Sequence, residues 1–358
     1  LPRSREKLHD VLLASSCRRL LVHSSSIACT FALLAACAAS EEEPAPTPAG
    51  PDAGDGGADA TSETGDPNVP ADTPTAQDEA CTENATTYCT QLERCFPFGL
   101  QLSYGDVATC VARVKPGCMQ VWSAPGNGWT ARRLRACVAA RTALACDRFL
   151  LRKPEIDECA IVGTLPDGTA CRQSAQCASG YCRIPSGLDC GVCVPKVPLG
   201  GACTSYVDCA RDLMCSANGA CRVPAGEAAE CTNNVPCRLG LACIAGKCTK
   251  PQGPGQPCTP ALGNIDCDYY QGAFCRADTS VCTQYTVAND GQACGASAAA
   301  PGTVCRAGGG CVAGPSGAAC AAPGDDGTLC NPATGIVCKS PLSCVAGICR
   351  LFQPTECR

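Results

Sequence analysis

Histidine is almost missing from the 358-residue chain: the two present, His9 and His23, both fall within the first 37 residues. That segment reads as a removable leader, so the mature chain is expected to hold none. This excludes Ser-His-Asp and Cys-His nucleophilic catalysis and every histidine-liganded metal site. Only two tryptophans occur. No alternation of strands and helices of adequate length is present, which excludes Rossmann and barrel enzymes. Ser316 lies in Gly314-Pro315-Ser316-Gly317, which is not a nucleophile elbow. The apolar stretch Ile27–Ala36 is ten residues long, where a membrane span needs roughly 20. The expectation is a protein without catalytic residues, cofactor or metal.

Cysteine is abundant instead, 37 residues, a density of disulfide scaffolds made in an oxidising compartment. The 46% hydrophobic content is inflated by alanine and cysteine. Asp52, Asp55 and Asp59 stand among glycines, but no bidentate glutamate sits at the twelfth position, so no calcium loop is expected. Cys190-Gly-Val-Cys193 lacks the strand-to-helix setting of a redox pair. Four-cysteine zinc is equally out of place in an oxidising compartment. Asp325-Asp326-Gly327 reads as a turn.

Residues 1–37 are read as a signal peptide, with a start assigned too far upstream. Arg18-Arg19 open a basic patch, Ile27–Ala36 has the size of an h-region, and Ala35-Ala36 precede Cys37. This ending resembles the bacterial lipobox, and the resemblance implies that Cys37 is acylated and anchors the protein to a membrane. Ala38 follows where aspartate would favour inner-membrane retention, so the outer membrane or cell surface is expected. An ordinary secretory signal is the alternative. Residues 38–80 hold eleven acidic residues, seven prolines and no Lys, Arg or aromatic. With little apolar surface to bury, they are expected to form a disordered tether reaching roughly 35 Å. The rest of the chain, from residue 81, is nearly neutral, which argues against a nucleic-acid partner.

Residues 81–159 are expected to form a small disulfide-stapled α-helical domain. Thr82 would cap a helix carrying Tyr88, Leu92 and Cys95 on one face. A second would start near Ser103–Asp106 and stop at Pro116-Gly117. Thr130 would cap a third, with Trp129 and Leu134 as a hydrophobic staple; it either continues to Lys153 or breaks near Arg141. Eight cysteines, Cys81, Cys89, Cys95, Cys110, Cys118, Cys137, Cys146 and Cys159, can close four bridges, with 105 pairings open. Arg132, Arg133 and Arg135 crowd the first turn of the third helix against its dipole. They are candidate contacts for an anionic glycan or lipid headgroup; the plainer reading is a solvated face. Asn84-Ala-Thr86 has the form of a glycosylation acceptor, without meaning in a bacterium.

Residues 168–358 repeat about every 25 to 35 positions, in about six units of small disulfide-rich folds with little regular structure and short β-hairpins. The first is Gly168-Thr-Ala-Cys171 with Cys177, Cys182, Cys190 and Cys193. The second is Gly200-Gly-Ala-Cys203 with Cys209, Cys215 and Cys221. The third has Cys231, Cys237, Cys243 and Cys248. Looser copies begin at Cys258, Cys294 and Cys330, and Cys357 remains at the end. The extra cysteine of the first unit can pair with Cys357 and close the array; a local rearrangement is equally allowed. Units this small cannot build a sufficient core, so each bridge must supply roughly 3 kcal/mol. The spacing Gly-x-x-Cys, five residues, Cys, Gly240-Leu-Ala-Cys243 and Gly246-Lys-Cys248 resembles the Dickkopf N-terminal cysteine-rich domain. It is also similar to Cys-rich lipoproteins of myxobacteria and related soil bacteria. The resemblance implies an extracellular binding module and maps no contact residue. The expected function is a lipid-anchored surface protein presenting a helical unit and a rod of repeats to another protein or a glycan. A secreted Cys-rich effector or protease inhibitor is the alternative.

Overall fold

The computed structural model describes residues 72–358, apart from 152–155, 186–187, 261–265, 296–301, 352 and 358. Cys37, both histidines, Asp52, Asp55, Asp59 and the tether up to residue 71 lie outside the described residues. The described residues belong to one unit, Ala71–Arg358, with few helices and many short antiparallel strand pairs held by disulfides.

Five helices open the described residues: α1 Pro74–Cys95, α2 Pro97–Ser103, α3 Val107–Trp122, α4 Ala131–Thr142 and α5 Cys146–Leu151. The first starts eight residues before Thr82, inside the stretch read as tether. Thr73 is the true cap, its Oγ1 accepting the Ala76 N–H at 3.2 Å, and Pro74 takes the first helical position, where a missing N–H costs nothing. Thr82 sits inside the helix and returns its hydroxyl to the Asp78 carbonyl at 2.8 Å. The early turns hold because Ala76 and Ala80 are small enough to pack with Cys81, Cys118, Leu134 and Val138.

The second expected stop also fails. Asp106, not Ser103, caps α3 through Thr109 N–H at 2.8 Å, and Pro116 lies within the helix, which runs on to Trp122. An interior proline costs about 3 kcal/mol. Cys118 repays this one residue past Gly117 by bonding to Cys81, and Met119 and Trp122 pack on the same cluster. Thr130 caps α4, with its Oγ1 accepting the Arg133 N–H, and Trp129 and Leu134 share the lower cluster. That helix ends at Thr142, and α5 is separate. Bridges Cys81–Cys118, Cys89–Cys110, Cys95–Cys146 and Cys137–Cys159 staple the helices. An upper cluster around Tyr88, Leu92, Phe96, Leu100, Val114 and Phe149 supplies the apolar interior.

Each repeat uses one wiring scheme. The first cysteine bonds to the third and the second to the fourth, as in Cys203–Cys215 with Cys209–Cys221, and Cys231–Cys243 with Cys237–Cys248. The looser copies follow it: Cys258–Cys275 with Cys267–Cys282, Cys294–Cys311 with Cys305–Cys320, and Cys330–Cys344 with Cys338–Cys349. In the first unit the pairs are Cys171–Cys182 and Cys177–Cys193. The last two cysteines of these pairs face each other across a hairpin, for example Cys215 opposite Cys221 and Cys275 opposite Cys282. Both bonds of a unit therefore leave one face of its hairpin and stack as its interior.

The lead-in strand pairs in parallel with the second cysteine in all six copies: Leu165 with Cys177, Val197 with Cys209, Ala225 with Cys237, Gln252 with Cys267, Ala288 with Cys305, and Gly324 with Cys338. The residue three before the first cysteine donates its N–H to the carbonyl of the hairpin's final cysteine, as Gly200 to Cys221 and Gly255 to Cys282. This turn needs a positive φ, +83° at Gly200 and +85° at Gly255, a conformation glycine adopts without penalty. The third unit places Ala228 there at φ +64°.

The array is not a rod. Cys190 bonds to Cys357 across 167 residues, bringing the last segment back to the first unit. Ser343 Oγ also reaches Asp189 at 3.4 Å. The first, fourth and fifth units lie against the helices. Gly128 N–H donates to the Ala175 carbonyl at 2.9 Å and Gln176 Nε2 to the Pro125 carbonyl at 2.9 Å, so the Pro125–Gly128 turn is a docking point for the first unit. Arg113 donates to the Ala307 carbonyl at 2.8 Å, and Arg306 to the Gly105 carbonyl at 2.9 Å. The fourth unit docks through aromatic rings: Phe96 and Phe98 on the helical side meet Tyr269, Tyr270 and Tyr285, with Phe98 and Tyr285 stacked at 5.5 Å.

Candidate functional site

All 34 cysteines from Cys81 to Cys357 are in disulfides. Sulfur atoms of three cysteines approach within 4.8 Å in most repeats, for instance Cys171, Cys177 and Cys193. Sulfur in these bridges has no thiolate to offer a metal; the proximity is the stacking of two bonds. Cys190 and Cys193 bond to different partners, Cys357 and Cys177, so they do not form the dithiol pair that the C-x-x-C spacing brings to mind.

The arginine triplet is divided by the fold. Arg135 forms ion pairs with Glu79 and Glu83 of α1 at 3.0 and 3.3 Å, which commits it to joining the two helices. Arg133 and Arg132 are exposed, and Arg133 also reaches the Gly128 carbonyl at 3.5 Å. The Asp72 carboxylate accepts the Ala131 N–H at 2.9 Å. An anion at the first turn offsets the positive charge that crowds the dipole there. Asn84 is buried and accepts from Arg141 at 3.0 Å, so the Asn-Ala-Thr triplet is a packing element.

A set of buried polar residues directly before the second cysteine has no counterpart in the sequence reading. Gln176, Asp208 and Asp266 hold this position in three units and are all buried. Each ties down the loop after the first cysteine: Gln176 Oε1 accepts Arg172 N–H at 2.8 Å, Asp208 Oδ2 accepts Thr204 and Ser205 N–H at 2.8 and 2.9 Å, and Asp266 Oδ2 accepts Thr259 N–H at 2.6 Å. The signal was present as Gln-Cys or Asp-Cys. Asp208 also takes the Tyr181 hydroxyl at 2.5 Å, joining the first and second units. Burial pushes its carboxyl up, but the hydrogen bonds from Tyr181, Thr204 and Ser205 outweigh that and hold it below the usual carboxylate range.

One concave feature stands at the aromatic junction: a cleft of about 330 Å³ lined by Pro97, Phe98, Gln101, Tyr270, Gln271, Gln284, Tyr285 and Val287. None of these side chains is charged. Six of the chain's fifteen aromatic residues, Phe96, Phe98, Tyr269, Tyr270, Phe274 and Tyr285, gather here. Gly302, at φ +68°, lies under Phe274, where a Cβ would come within 2.1 Å of the ring.

No helix among the described residues is long and apolar enough to cross a membrane. No protein-family model, curated protein or solved structure matches the chain.

Proposed function

We propose that this chain is a lipid-anchored, extracellular binding protein of a bacterial surface. Its disulfide frame holds surfaces in place for contact with another protein or a glycan. The observation that supports this reading is the complete pairing of the 34 cysteines downstream of the tether. Such pairing requires an oxidising compartment and leaves a rigid framework whose surfaces, not its thiols, are on offer. Cys37, after Ala35-Ala36, carries the lipid, and the acidic segment behind it spaces the folded unit from the outer membrane. Placement at the cell surface follows from the lipobox-like ending, and a module of Dickkopf type from the cysteine and glycine spacing. The chain works by binding and has no catalytic residue of its own. Metabolic labelling with a fatty acid tests the anchor: label is expected in the wild type and lost in Cys37→Ala. Unlabelled wild-type protein released to the medium would favour the secreted effector instead.

A further inference from the structure

A positional rule governs how successive repeats join. The residue before the third cysteine of one unit reaches the segment leading to the second cysteine of the next. Tyr181 gives its hydroxyl to Asp208 at 2.5 Å. Phe274 covers Gly302, and Gly310 lies against the Gly335 carbonyl. At the junction of the second and third units Met214 holds the position, buried, and Asn218 Nδ2 donates to Asn234 Oδ1 at 2.6 Å. At the next junction the position falls to Ala242, whose methyl group has no hydrogen bond to give Asp266, the residue before the second cysteine of the fourth unit. We infer that the third unit is a strap hinged at its junction with the fourth, and that this junction opens to water while the rest of the array stays closed. The inference goes beyond the binding role and does not depend on the lipid anchor.

Two buried polar atoms go without a partner here. Asp266, 3% exposed, spends Oδ2 on the Thr259 N–H, while its Oδ1 has no hydrogen bond among the described residues. Thr249 stands opposite Ala242 across the hairpin, which puts both side chains on one face, and its Oγ1 is likewise buried and unpaired. Closing the junction strips water from both groups and gives neither a replacement, a cost that opening recovers.

Little opposes that opening. Among the described residues no hydrogen bond, ion pair or ring contact joins residues 225–250 to the fourth unit or to the helices, and the exposed Asn218–Asn234 bond is the side-chain tie to the second. Within 225–250 only Cys231, Ala242 and Cys248 are buried, and a Cβ at Gly226 or Gly246 would meet no atom within 4 Å. Such sparse packing belongs to the low end of local stability. The first and fourth units are docked on the helices at either side of this span, so the strap is held at its ends. Its own bonds, Cys231–Cys243 and Cys237–Cys248, keep it folded as it swings.

The test is hydrogen exchange read at single amides on the full chain with its bridges formed. Thr204 and Thr259 each follow the first cysteine of their unit, and each donates to a buried aspartate. Corrected for intrinsic rates, Thr259 is expected to exchange about tenfold faster than Thr204, the effect of one missing hydrogen bond. The rate should depend weakly on denaturant, as local opening does, while the Cys282 amide, which donates to Gln256 within the fourth unit, stays protected. Tyr181→Phe, which removes only the hydroxyl, should speed Thr204 by about the same factor. Ala242→Tyr copies the first junction and should slow Thr259 toward the Thr204 rate; if that protein does not fold, the wild-type comparison and Tyr181→Phe decide. Equal protection of Thr259 and Thr204 would overturn the inference, because it is the sign of a buried water satisfying both atoms in place. So would joint loss of protection at Thr259 and Cys282, the mark of the fourth unit opening as a whole, or a Thr204 rate indifferent to Tyr181→Phe. A folded Ala242→Tyr protein with Thr259 still fast would overturn it too.

Discussion

Cutting the Cys190–Cys357 bond by the paired substitution Cys190→Ser and Cys357→Ser tests how the array is held closed. Replacing both residues leaves no free thiol to exchange. The loop-entropy relation gives about 5 kcal/mol for a crosslink across 167 residues. Local bridges shorten that path in the unfolded chain, but the dependence is logarithmic, and an effective loop of roughly 70 residues still gives about 4 kcal/mol. Another contact at this seam, Ser343 Oγ to Asp189 at 3.4 Å, is too long to replace it. The fourth and fifth units remain attached to the helices through their aromatic and arginine contacts. The sixth unit also packs on the fifth, with Gly335 against Gly310 and Cys311, and on α3, with Pro341 beside Gly117, so opening is expected to loosen its seam with the first unit and spare the rest. A non-reducing thermal melt should fall by on the order of 10 °C if the unit melts cooperatively. Hydrogen exchange should accelerate where residues 189–193 and 343–357 meet, with the hairpin at Ser343–Arg350 still protected by its own two bonds. An unchanged midpoint together with unchanged exchange at that seam would refute the reasoning.

Ala228→Gly should stabilise the third unit by about 0.5 to 1 kcal/mol, and Gly200→Ala should destabilise the second by a similar amount. A Cβ at Gly200 meets no atom within 4 Å, so the effect is conformational, and denaturant midpoints with bridges intact would measure it. Because the folded Asp208 carboxyl titrates below its unfolded value, its contribution is present above about pH 4 and disappears as pH falls through the lower, folded-state pKa. Amide exchange at Thr204 and Ser205 should stay slow at pH 5 and rise only in stronger acid; a rise already between pH 7 and 5 would contradict this. Reduction with excess dithiothreitol should abolish the hairpins while part of the helical circular dichroism survives on the Tyr88–Phe149 cluster. Retention of the native shape after complete reduction would be incompatible with cores made of sulfur.

The glycine three before the first cysteine was visible as a spacing in the first two units, and its reason, a left-handed turn closing onto the hairpin, follows from chemistry that a sequence displays. Cysteine pairing was not visible, since even spacings make several connectivities equally easy to write. The start of α1 was hidden by composition: acidic and proline-rich neighbours outweighed the local Thr73-Pro74 signal, and the partners that secure the early turns, Lys115 and Arg135 for Asp78 and Glu79, lie far along the chain. Pro116 misled for the opposite reason, because a local breaker was overruled by the distant Cys81. The cleft was illegible altogether, since Phe98 and Tyr285 meet only after the repeats have turned back.

Closing the array through Cys190 and Cys357 makes much of the polypeptide a covalent circle. A protease that severs a single peptide bond anywhere between those residues opens the circle without shedding a fragment. The two new ends stay joined through the opposite arc, and a cut inside a repeat is further spanned by that repeat's crossed bonds. In an environment of secreted peptidases, such a molecule survives a first nick in one piece.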